Sequence, residues 1–350
     1  MDFQKVLKDE KEIIDVEIGI FFFKKMVLEK NPFIIKYYSD LKQYIVTGGK
    51  RLRPIALILA YEGKGGRSLE AIHKLSISVE LLHNASLIHD DIIDHDETRR
   101  GEPSFHIAFQ EWFDYNLQGI SRQQDFGVTM GILGGDYLSN MGLEPILSSN
   151  FAVNVIKKAV SYYQQAYRDI IKGVLFETYL QNLPLKMVLE KDYLDMIAGK
   201  TATLFEKSIL IGALLGDKSE RDKSLLSKFA LLLGQAFQIR DDVLGAFGKK
   251  EKIGKPTDSD IREGKKTLLA IYANQKDKNV QELLGKPDIT EKEIKTVKQI
   301  FKETKALEKT KEKALDIVKQ ARDLLEKIKF TDNTKEFFSN LIDFVQFRDI

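Results

Sequence analysis

The stretch LSISVELLHNASLIHDDIIDHD, residues Leu75–Asp96, combines a helical pattern with a dense group of acids. Its apolar residues recur at spacings of three and four, which place them on one face of an α-helix. Only seven prolines interrupt the 350 residues, and alternating strand-like runs are scarce. The same helical pattern returns in Val153–Leu185, Tyr193–Leu215 and Ser224–Phe247. The sequence therefore predicts an all-α fold made of long helices.

The composition narrows the classes of function. The 54 basic and 52 acidic residues leave a net charge of +2, which gives no reason to expect a nucleic-acid partner. The chain has no cysteine, so disulfides, zinc–thiolate sites and thiol nucleophiles are excluded. The N-terminus does not resemble a signal peptide, and the apolar run Gly19–Phe23 is too short to cross a bilayer. We expect a cytoplasmic protein with no integral membrane segment.

The chain shows no linker or change of composition before about Asp288. From there to Ile350 it is rich in lysine but remains periodic, which predicts solvated amphipathic helices. We therefore expect a single domain over residues 1–350, with a lysine-rich helical part at 288–350. The segment Gln110–Gly127 breaks the helical pattern and holds the only tryptophan, Trp112. We interpret it as a surface excursion, with a partner or subunit contact as the alternative.

The acids of the first stretch have the spacing of a cation site. On a helix, Asp90 and Asp94 lie one turn apart on one face, and Asp91 lies about 100° around from Asp90. Carboxylates so close repel each other unless a cation holds them, and Mg²⁺ commonly takes one or two carboxylates together with phosphate oxygens. The alternative is a solvated helix end, which is disfavoured because acids at a helix C-terminus oppose the macrodipole.

A second acidic pair, Asp241 and Asp242, follows another apolar helical run in AFQIRDDVLGAFGKK. Two such pairs at helix ends predict carboxylates that face each other across a bundle and share metal ions. Basic residues accompany them at Lys50, Arg51, Arg53, Arg99, Arg100, Lys200 (beside Thr201), Lys255, Lys265 and Lys266. Such a combination predicts a site for highly anionic substrates, of which diphosphates fit best. For any single lysine, a plain surface position is the alternative.

Taken in order, these motifs resemble those of the trans-isoprenyl diphosphate (polyprenyl) synthases. The resemblance runs from about Gly48 to Thr267 through GGKRLRP, HNASLIHDDIIDHDETRRG, GGDYL, GKTA, FQIRDDVLG, GKP and DIREGKKT. It implies an all-α bundle around a deep central cavity, usually in a homodimer. It also implies head-to-tail condensation of isopentenyl diphosphate with an allylic diphosphate.

The resemblance further implies roles for individual residues. Asp90, Asp91 and Asp94 would hold Mg²⁺ against the allylic diphosphate, and Asp241 with Asp242 would hold a further ion, to a total of three per site. Lys200 and these five acids form the implied catalytic set. The implied contacts to the allylic diphosphate are Arg99, Lys200, Lys255 and Lys265, with Thr201 alongside. Those to isopentenyl diphosphate are Lys50, Arg53, His83 and Arg100. Gln238 would line the reaction centre.

Two positions depart from the family pattern. Gly245 stands where many relatives have a third aspartate, so the second metal site is expected to be weaker or to use water instead. The element GVLFE has Val174 in place of a glutamine and Glu177 in place of an aspartate. These departures put the polar wall near the reaction centre in doubt, but not the reaction.

The product length is predicted from the residues that precede the first aspartate. Ala85 and Ser86 lie about one turn below Asp90 and are small, whereas farnesyl-making relatives commonly have aromatic residues near here. Leu81 and Leu82, roughly another turn deeper, are then candidates for the cavity floor. We expect a product longer than C15, with geranylgeranyl diphosphate first and a C25 or longer chain second. The alternative is that a bulky residue of another helix sets the limit.

Three other classes of function compete with this interpretation. A non-catalytic subunit of a heteromeric prenyl synthase would tend to lose motif aspartates, and here only Gly245 supports it. A terpene cyclase or head-to-head synthase would not need GGKRLRP and the complete RRG. A metal phosphohydrolase, suggested by the neighbours His89 and Asp90, would have to draw further ligands from five clustered histidines.

Overall fold

The computed structural model describes residues 2–117, 122–217, 221–248 and 258–346, and these residues are almost entirely helical. The prediction of an all-α fold is confirmed. Contacts divide the chain into two compact units. The first comprises Met1–Tyr167, Ser208–Glu220 and Phe330–Thr334; the second comprises Arg168–Lys207, Arg221–Lys329 and Lys335–Ile350. The expectation of a single domain over 1–350 stays a prediction.

The elements of the N-terminal part begin with a long helix and include one short hairpin. In chain order they are α1 Phe3–Leu28, α2 Pro32–Val46, α3 Leu52–Gly63, α4 Leu69–Ile93, β1 Thr98–Arg99, β2 Glu102–Pro103, α5 Phe105–Asn116, α6 Gln123–Met141 and α7 Glu144–Leu147. The two strands are antiparallel, with Thr98 opposite Pro103 and Arg99 opposite Glu102.

The remaining elements are helices of very different length. They are α8 Val153–Gln181, a 3₁₀ turn at Leu185–Met187, α9 Glu190–Ile197, a π-helical turn at Ala198–Ala202, α10 Thr203–Gly216, α11 Lys223–Phe247, α12 Ser259–Glu263, α13 Leu268–Asn274, α14 Asn279–Leu283, α15 Glu291–Glu303, α16 Ala306–Lys327 and α17 Asp332–Gln346. All four long helical segments predicted from periodicity are found, with shifted ends: the Leu75–Asp96 segment starts at Leu69 and ends at Ile93.

The helix α4 is the centre of the first unit, where it packs against α1, α3, α5, α6 and α7. Because neighbours surround it, its apolar side chains are buried on several faces, among them Ile72, Leu75 and Ile88. Each such side chain contributes about 2 kcal/mol of transfer free energy. The position of α4 therefore fixes the acids at its C-terminal end relative to a rigid core.

The helix α11 is the corresponding centre of the second unit. It packs against α16 and against the π-helical turn. The described residues of the lysine-rich C-terminal part are largely helical, as its periodicity predicts. The helix α15 buries Ile294, Val297 and Phe301, while most of its lysines are exposed. Thr290 caps this helix in a capping box with Glu293, which satisfies backbone donors at its first turn.

Most described residues of Gln110–Gly127 are exposed, as expected for a surface segment, but they are helical rather than irregular. Residues 110–116 belong to α5 and residues 123–127 to α6, while 118–121 lie outside the described residues. Trp112 is half-buried and packs within its own unit, with ring centroids 5.4 Å from Phe33 and 6.0 Å from Phe126. Aromatic packing, rather than an apolar period, stabilises these helix ends, which is why the periodicity failed here.

No helix within the described ranges combines the length and the apolar character needed to span a bilayer.

Candidate active site

Asp91, at the C-terminal end of α4, is completely buried. Its Oδ1 accepts hydrogen bonds from Arg99, with Nε at 2.6 Å and Nη2 also in contact, and its Oδ2 accepts one from the Tyr44 hydroxyl at 2.9 Å. Burial alone would lower the pKa of Arg99, but the bond and charge of Asp91 raise it, so the guanidinium stays charged. Asp91 therefore holds Arg99, and through it the hairpin, against α4.

Asp90 and Asp94 are less enclosed than Asp91. Both side chains are half-buried, and Asp94 ends α4, where its N–H donates to the Asp90 carbonyl at 2.8 Å. The helical geometry that places these two carboxylates one turn apart is thus present. Of the three acids in the first motif, Asp90 and Asp94 are the two that keep exposed surface.

The hairpin turn that follows carries Arg100 back to the GGKRLRP loop. Its Nη1 donates to the carbonyl of Thr47 at 2.7 Å and, more weakly, to that of Tyr44 at 3.3 Å. Gly48 and Gly49 have φ values of +70° and +80°, and a Cβ atom on Gly48 would lie 3.0 Å from Cδ of Arg100. The paired glycines are therefore needed for both the turn and the close approach of the arginine.

Arg51, in the middle of that loop, belongs to the core. Its side chain is buried, with Nε 2.7 Å from Asp15, Nη1 3.0 Å from Glu80 and Nη2 2.7 Å from the carbonyl of Ile45. Lys50 on one side is exposed and Arg53 on the other is half-buried. Arg51 thus fixes the loop to α1 and α4, while Lys50 is exposed and Arg53 lies half-buried in the first turn of α3.

His83 lies on α4 among four arginines. Burial and then the positive charges of Arg53, Arg100, Arg99 and Arg51 hold its pKa well below the usual range. The imidazole is therefore neutral near pH 7 and can donate or accept a hydrogen bond without adding charge. This arrangement brings four of the sequence-predicted residues, His83, Arg53, Arg99 and Arg100, into one electrostatic environment.

In the second unit, a chain of hydrogen bonds joins the GKTA segment to the second acidic motif. The Thr201 hydroxyl donates to Oε1 of Gln238 at 2.7 Å, and Nε2 of Gln238 donates to Oδ1 of Asp242 at 2.7 Å. The Tyr193 hydroxyl donates to the other oxygen of Asp242 at 2.6 Å. Both oxygens of Asp242 are thus engaged, while Asp241 beside it is half-buried.

Asp242 lies in an excess of negative charge. Burial, followed by the charges of Asp260 and Asp241, raises the pKa of Asp242 to about 8, although the bonds from Tyr193 and Gln238 oppose the shift. A cation beside these carboxylates would relieve that excess. Half-buried Asp241, with Asp242 and Asp260 close enough to act on one another's charge, offers the carboxylate oxygens that a hard divalent ion such as Mg²⁺ takes one or two at a time.

Lys200 is carried by the π-helical turn Ala198–Ala202, which interrupts the helix between α9 and α10. Its Nζ pairs with Oε2 of Glu177 at 2.5 Å. Gly173 makes room for this turn, since a Cβ atom there would lie 2.2 Å from the backbone nitrogen of Lys200. Glu177, a departure from the family pattern, thus lies on α8 as the partner of Lys200; π turns of this kind are frequent at functional sites.

The predicted lysines of the following segment differ in what can be said of them. Lys265 pairs with Glu263 at 2.7 Å and lies 3.6 Å from Asp260. Burial lowers the pKa of Lys266. Lys255 lies outside the described residues. The fold therefore holds Lys265 beside Glu263 and Asp260.

The residues predicted to set product length lie within the packed part of α4. Leu81, Leu82 and Ala85 are fully buried. Ser86 is half-buried, and its hydroxyl donates to the carbonyl of His83 at 2.7 Å. Their role in chain length stays a prediction.

Within the residues for which positions are given, no three or more histidine or acidic side chains are grouped so that they could hold a metal ion. The metal role of Asp90, Asp91, Asp94 and Asp241 stays a prediction.

The sequence analysis did not identify several residues of the site. The Tyr44 hydroxyl contacts Asp91, the Tyr193 hydroxyl contacts Asp242, and the charge of Asp260 acts on Asp242, each from another element. Of these three, only Asp260 lies in a motif that the sequence analysis quoted, DIREGKKT.

Comparisons with known proteins bear on the family and the fold. Residues 35–304 match the family model for polyprenyl synthetase. A short chain isoprenyl diphosphate synthase of Methanocaldococcus jannaschii is 34% identical over 299 residues, covering 81% of this chain and 84% of that protein. A geranylfarnesyl diphosphate synthase of Aeropyrum pernix is 34% identical over 315 residues, covering 86% and 91%.

A solved structure of geranylgeranyl pyrophosphate synthetase from Pyrococcus horikoshii OT3 is also similar. It is 28% identical with a TM-score of 0.82, and the match covers 100% of both chains. The fold, the order of the motifs and the family match lead to one conclusion. The chain belongs to the polyprenyl synthetase family and is a prenyltransferase.

Proposed function

We propose that the chain condenses isopentenyl diphosphate with an allylic diphosphate, head to tail and with Mg²⁺, to give an all-trans prenyl diphosphate longer than C15. Geranylgeranyl diphosphate is the first candidate product and a C25 or longer chain the second. The observation that carries the proposal is the end of α4, where Asp90 and Asp94 adjoin the hairpin that holds Arg99 and Arg100.

Each charged group has a part in this reaction. Asp90, Asp94 and Asp241 would hold Mg²⁺, which when bound supplies positive charge for the diphosphate that leaves. Arg99, Lys200 and Lys265 supply fixed positive charge of the same kind from side chains held by ion pairs. Lys50, Arg53 and Arg100, with neutral His83, are suited to bind isopentenyl diphosphate.

The chemistry then balances without a protein base. The allylic carbon–oxygen bond breaks, the double bond of isopentenyl diphosphate forms a new carbon–carbon bond to the allylic carbon, and one proton is lost. The released diphosphate can accept that proton. A neutral His83 beside four arginines is a poor proton acceptor, which agrees with this assignment.

The product length is supported by small residues near the first motif and by relatives. Neither Ala85 nor Ser86 has bulk that would close a cavity one turn before Asp90. The similar proteins named above include one geranylgeranyl and one geranylfarnesyl enzyme. These observations favour C20 and leave C25 as the specific alternative.

A product assay tests the proposal. Purified protein receives labelled isopentenyl diphosphate, Mg²⁺ and, separately, C5, C10, C15 and C20 allylic primers, and the dephosphorylated products are sized by chromatography. We expect one discrete product of C20, and none with the Asp90→Asn variant. A C25 or longer product would replace the first candidate by the second, whereas no elongation from any primer would disprove the catalytic role.

We further propose that a second copy of the chain covers a groove between α2 and α6, which gives a homodimer. The groove is lined by Phe33, Ile34, Tyr37, Met130, Leu133, Asp136, Tyr137 and Asn140. Leu133 is 52% exposed although it is apolar, and its neighbour Ile132 is 46% exposed. An exposed apolar side chain in a groove lined mainly by apolar and aromatic residues is typical of an association site.

Light scattering on a sizing column tests the homodimer. We expect a mass of twice the chain's 40.0 kDa, and a shift towards one chain mass for Leu133→Glu. Leu315→Glu is the control, because Leu315 is similarly exposed, at 48%, on α16. An unchanged mass for Leu133→Glu would exclude this groove as the interface.

A location in the cytoplasm remains a prediction.

A further inference from the structure

The second acidic motif lacks a side chain at its third position, and another element brings one there. Residue 245 lies one turn beyond Asp241 on the same face of α11, but it is a glycine. A Cβ atom on Gly245 would lie 3.4 Å from Oδ2 of Asp260. This is ordinary van der Waals contact, so the carboxylate of Asp260 lies where a side chain at position 245 would extend.

The backbone fixes Asp260 in this place. The N–H of Asp258 donates to the carbonyl of Gly245 at 3.1 Å, which joins the start of α12 to α11. On the other side of the carboxylate, the N–H of Lys265 donates to the carbonyl of Asp260 at 2.9 Å. The segment that carries Asp260 is thus tied both to α11 and to the predicted diphosphate-binding lysine.

The same carboxylate faces Lys265. Oδ1 of Asp260 lies 3.6 Å from Nζ of Lys265, while Oδ2 faces Gly245. The side chains are 24% and 16% exposed, so both charges are largely shielded from water, and their interaction is stronger than at an open surface. Asp260 therefore connects Lys265 to the acidic face of α11.

We propose that Asp260 is a positioning residue that supplies the third carboxylate of the second motif, which Gly245 cannot provide, and that orients Lys265 towards the diphosphate. The inference rests on the proposed function, because it assigns Asp260 to the Mg²⁺ and diphosphate site of that function. It predicts that Mg²⁺-dependent diphosphate binding needs a carboxylate at this place, whether α11 or α12 carries it.

An exchange of the carboxylate between the two positions tests this. Asp260→Asn removes the charge and keeps the shape, Asp260→Ala also empties the space, and Gly245→Asp/Asp260→Ala returns a carboxylate from α11 into that space. Calorimetry of inorganic diphosphate binding with and without Mg²⁺ reads the site without turnover. Since changes to residues that orient metal ligands cost about tenfold or more in affinity, we expect Asp260→Asn to weaken Mg²⁺-dependent binding by about that factor. The double variant should recover to within about threefold of the unchanged protein.

A matched control removes a carboxylate from the same neighbourhood. Glu291 pairs with Arg262 of α12 but is largely exposed, so Glu291→Gln should leave diphosphate binding unchanged. Thermal unfolding checks that all variants are folded. In kinetics, Asp260→Asn should raise KM for the allylic diphosphate, and the double variant should lower it again.

Three outcomes separate the inference from the proposed function. The inference is overturned if the double variant binds diphosphate as weakly as Asp260→Asn. It is also overturned if the unchanged protein shows no Mg²⁺-dependent binding of diphosphate. If the unchanged protein binds Mg²⁺ and diphosphate but elongates no primer, the proposed function fails, and the exchange still decides the role of Asp260.

Discussion

Asp91 and Arg99 form a buried ion pair between the end of α4 and the hairpin, with Nε of Arg99 2.6 Å from Oδ1 of Asp91. The pair separates the three acids of the first motif into two kinds. Asp91 has no exposed surface, and its two oxygens accept hydrogen bonds from Arg99 and Tyr44. Asp90 and Asp94, in contrast, are half-buried. A motif that looks uniform in the sequence therefore has one fully buried acid and two half-buried ones.

Asp91→Asn should lower both stability and activity. The substitution leaves a charged, buried Arg99 without its partner, and breaking such a pair costs about 3 kcal/mol or more. Asp90→Asn is the matched control, since its half-buried side chain should change the free energy of unfolding by less than about 0.5 kcal/mol while activity is lost. Chemical denaturation with the product assay distinguishes them. Equal stability of the two variants would contradict the division.

Ala85→Phe should shorten the product. A benzyl group one turn before Asp90 would reduce the depth available to a growing chain. Ala85 is fully buried, so overpacking should also cost about 1–3 kcal/mol, and Ser86→Phe, at a half-buried position, is the companion variant with a smaller cost. Chromatography of the dephosphorylated products is the measurement. An unchanged product from both folded variants would show that these residues do not set the length.

Gly135→Ala should destabilise the protein through one contact. A Cβ atom on Gly135 would lie 2.1 Å from Nε2 of His89, so the imidazole would have to leave its bond to the carbonyl of Ile132. In a His89→Ala background the same substitution should cost much less. Gly19→Ala, in α1 with no atom near the added methyl, should instead stabilise by up to about 1 kcal/mol. Thermal unfolding of the variants decides; equal losses in both backgrounds would exclude the contact.

Stability should fall as the pH rises above about 6.5, in part through His73. Its hydrogen bond to Glu10 raises the pKa of His73 in the folded protein above the ordinary 6.5. A raised pKa means that the stabilisation is complete below the unfolded pKa and is lost as the pH rises through the folded pKa. Denaturation curves between about pH 6 and pH 9 measure this slope. His73→Gln should reduce this slope without removing it, because the raised pKa of Asp242 contributes with the same sign. An identical slope in that variant would refute the assignment.

Local patterns predicted the helices and the order of the motifs. Apolar spacing along α4, α8 and α11 depends only on neighbouring residues, and the four long segments were found with ends shifted by a few residues. The helices within Gln110–Gly127 were not predicted, for the converse reason. Its helices are stabilised by Trp112 against Phe33 and Phe126, contacts that no local period encodes.

The sequence by itself determined the helical class of the fold, the family and the residue types of the site, because periodicity and motif spacing are written along the chain. Only the tertiary structure decided which charges serve the core and which face outward. Arg51 and Lys50 are adjacent in sequence, yet one is buried among Asp15 and Glu80 and the other is exposed. Likewise Asp260 reaches Gly245 across fifteen positions of chain. Burial and long-range pairing arise from packing between helices, and packing has no signature in the spacing of any one helix.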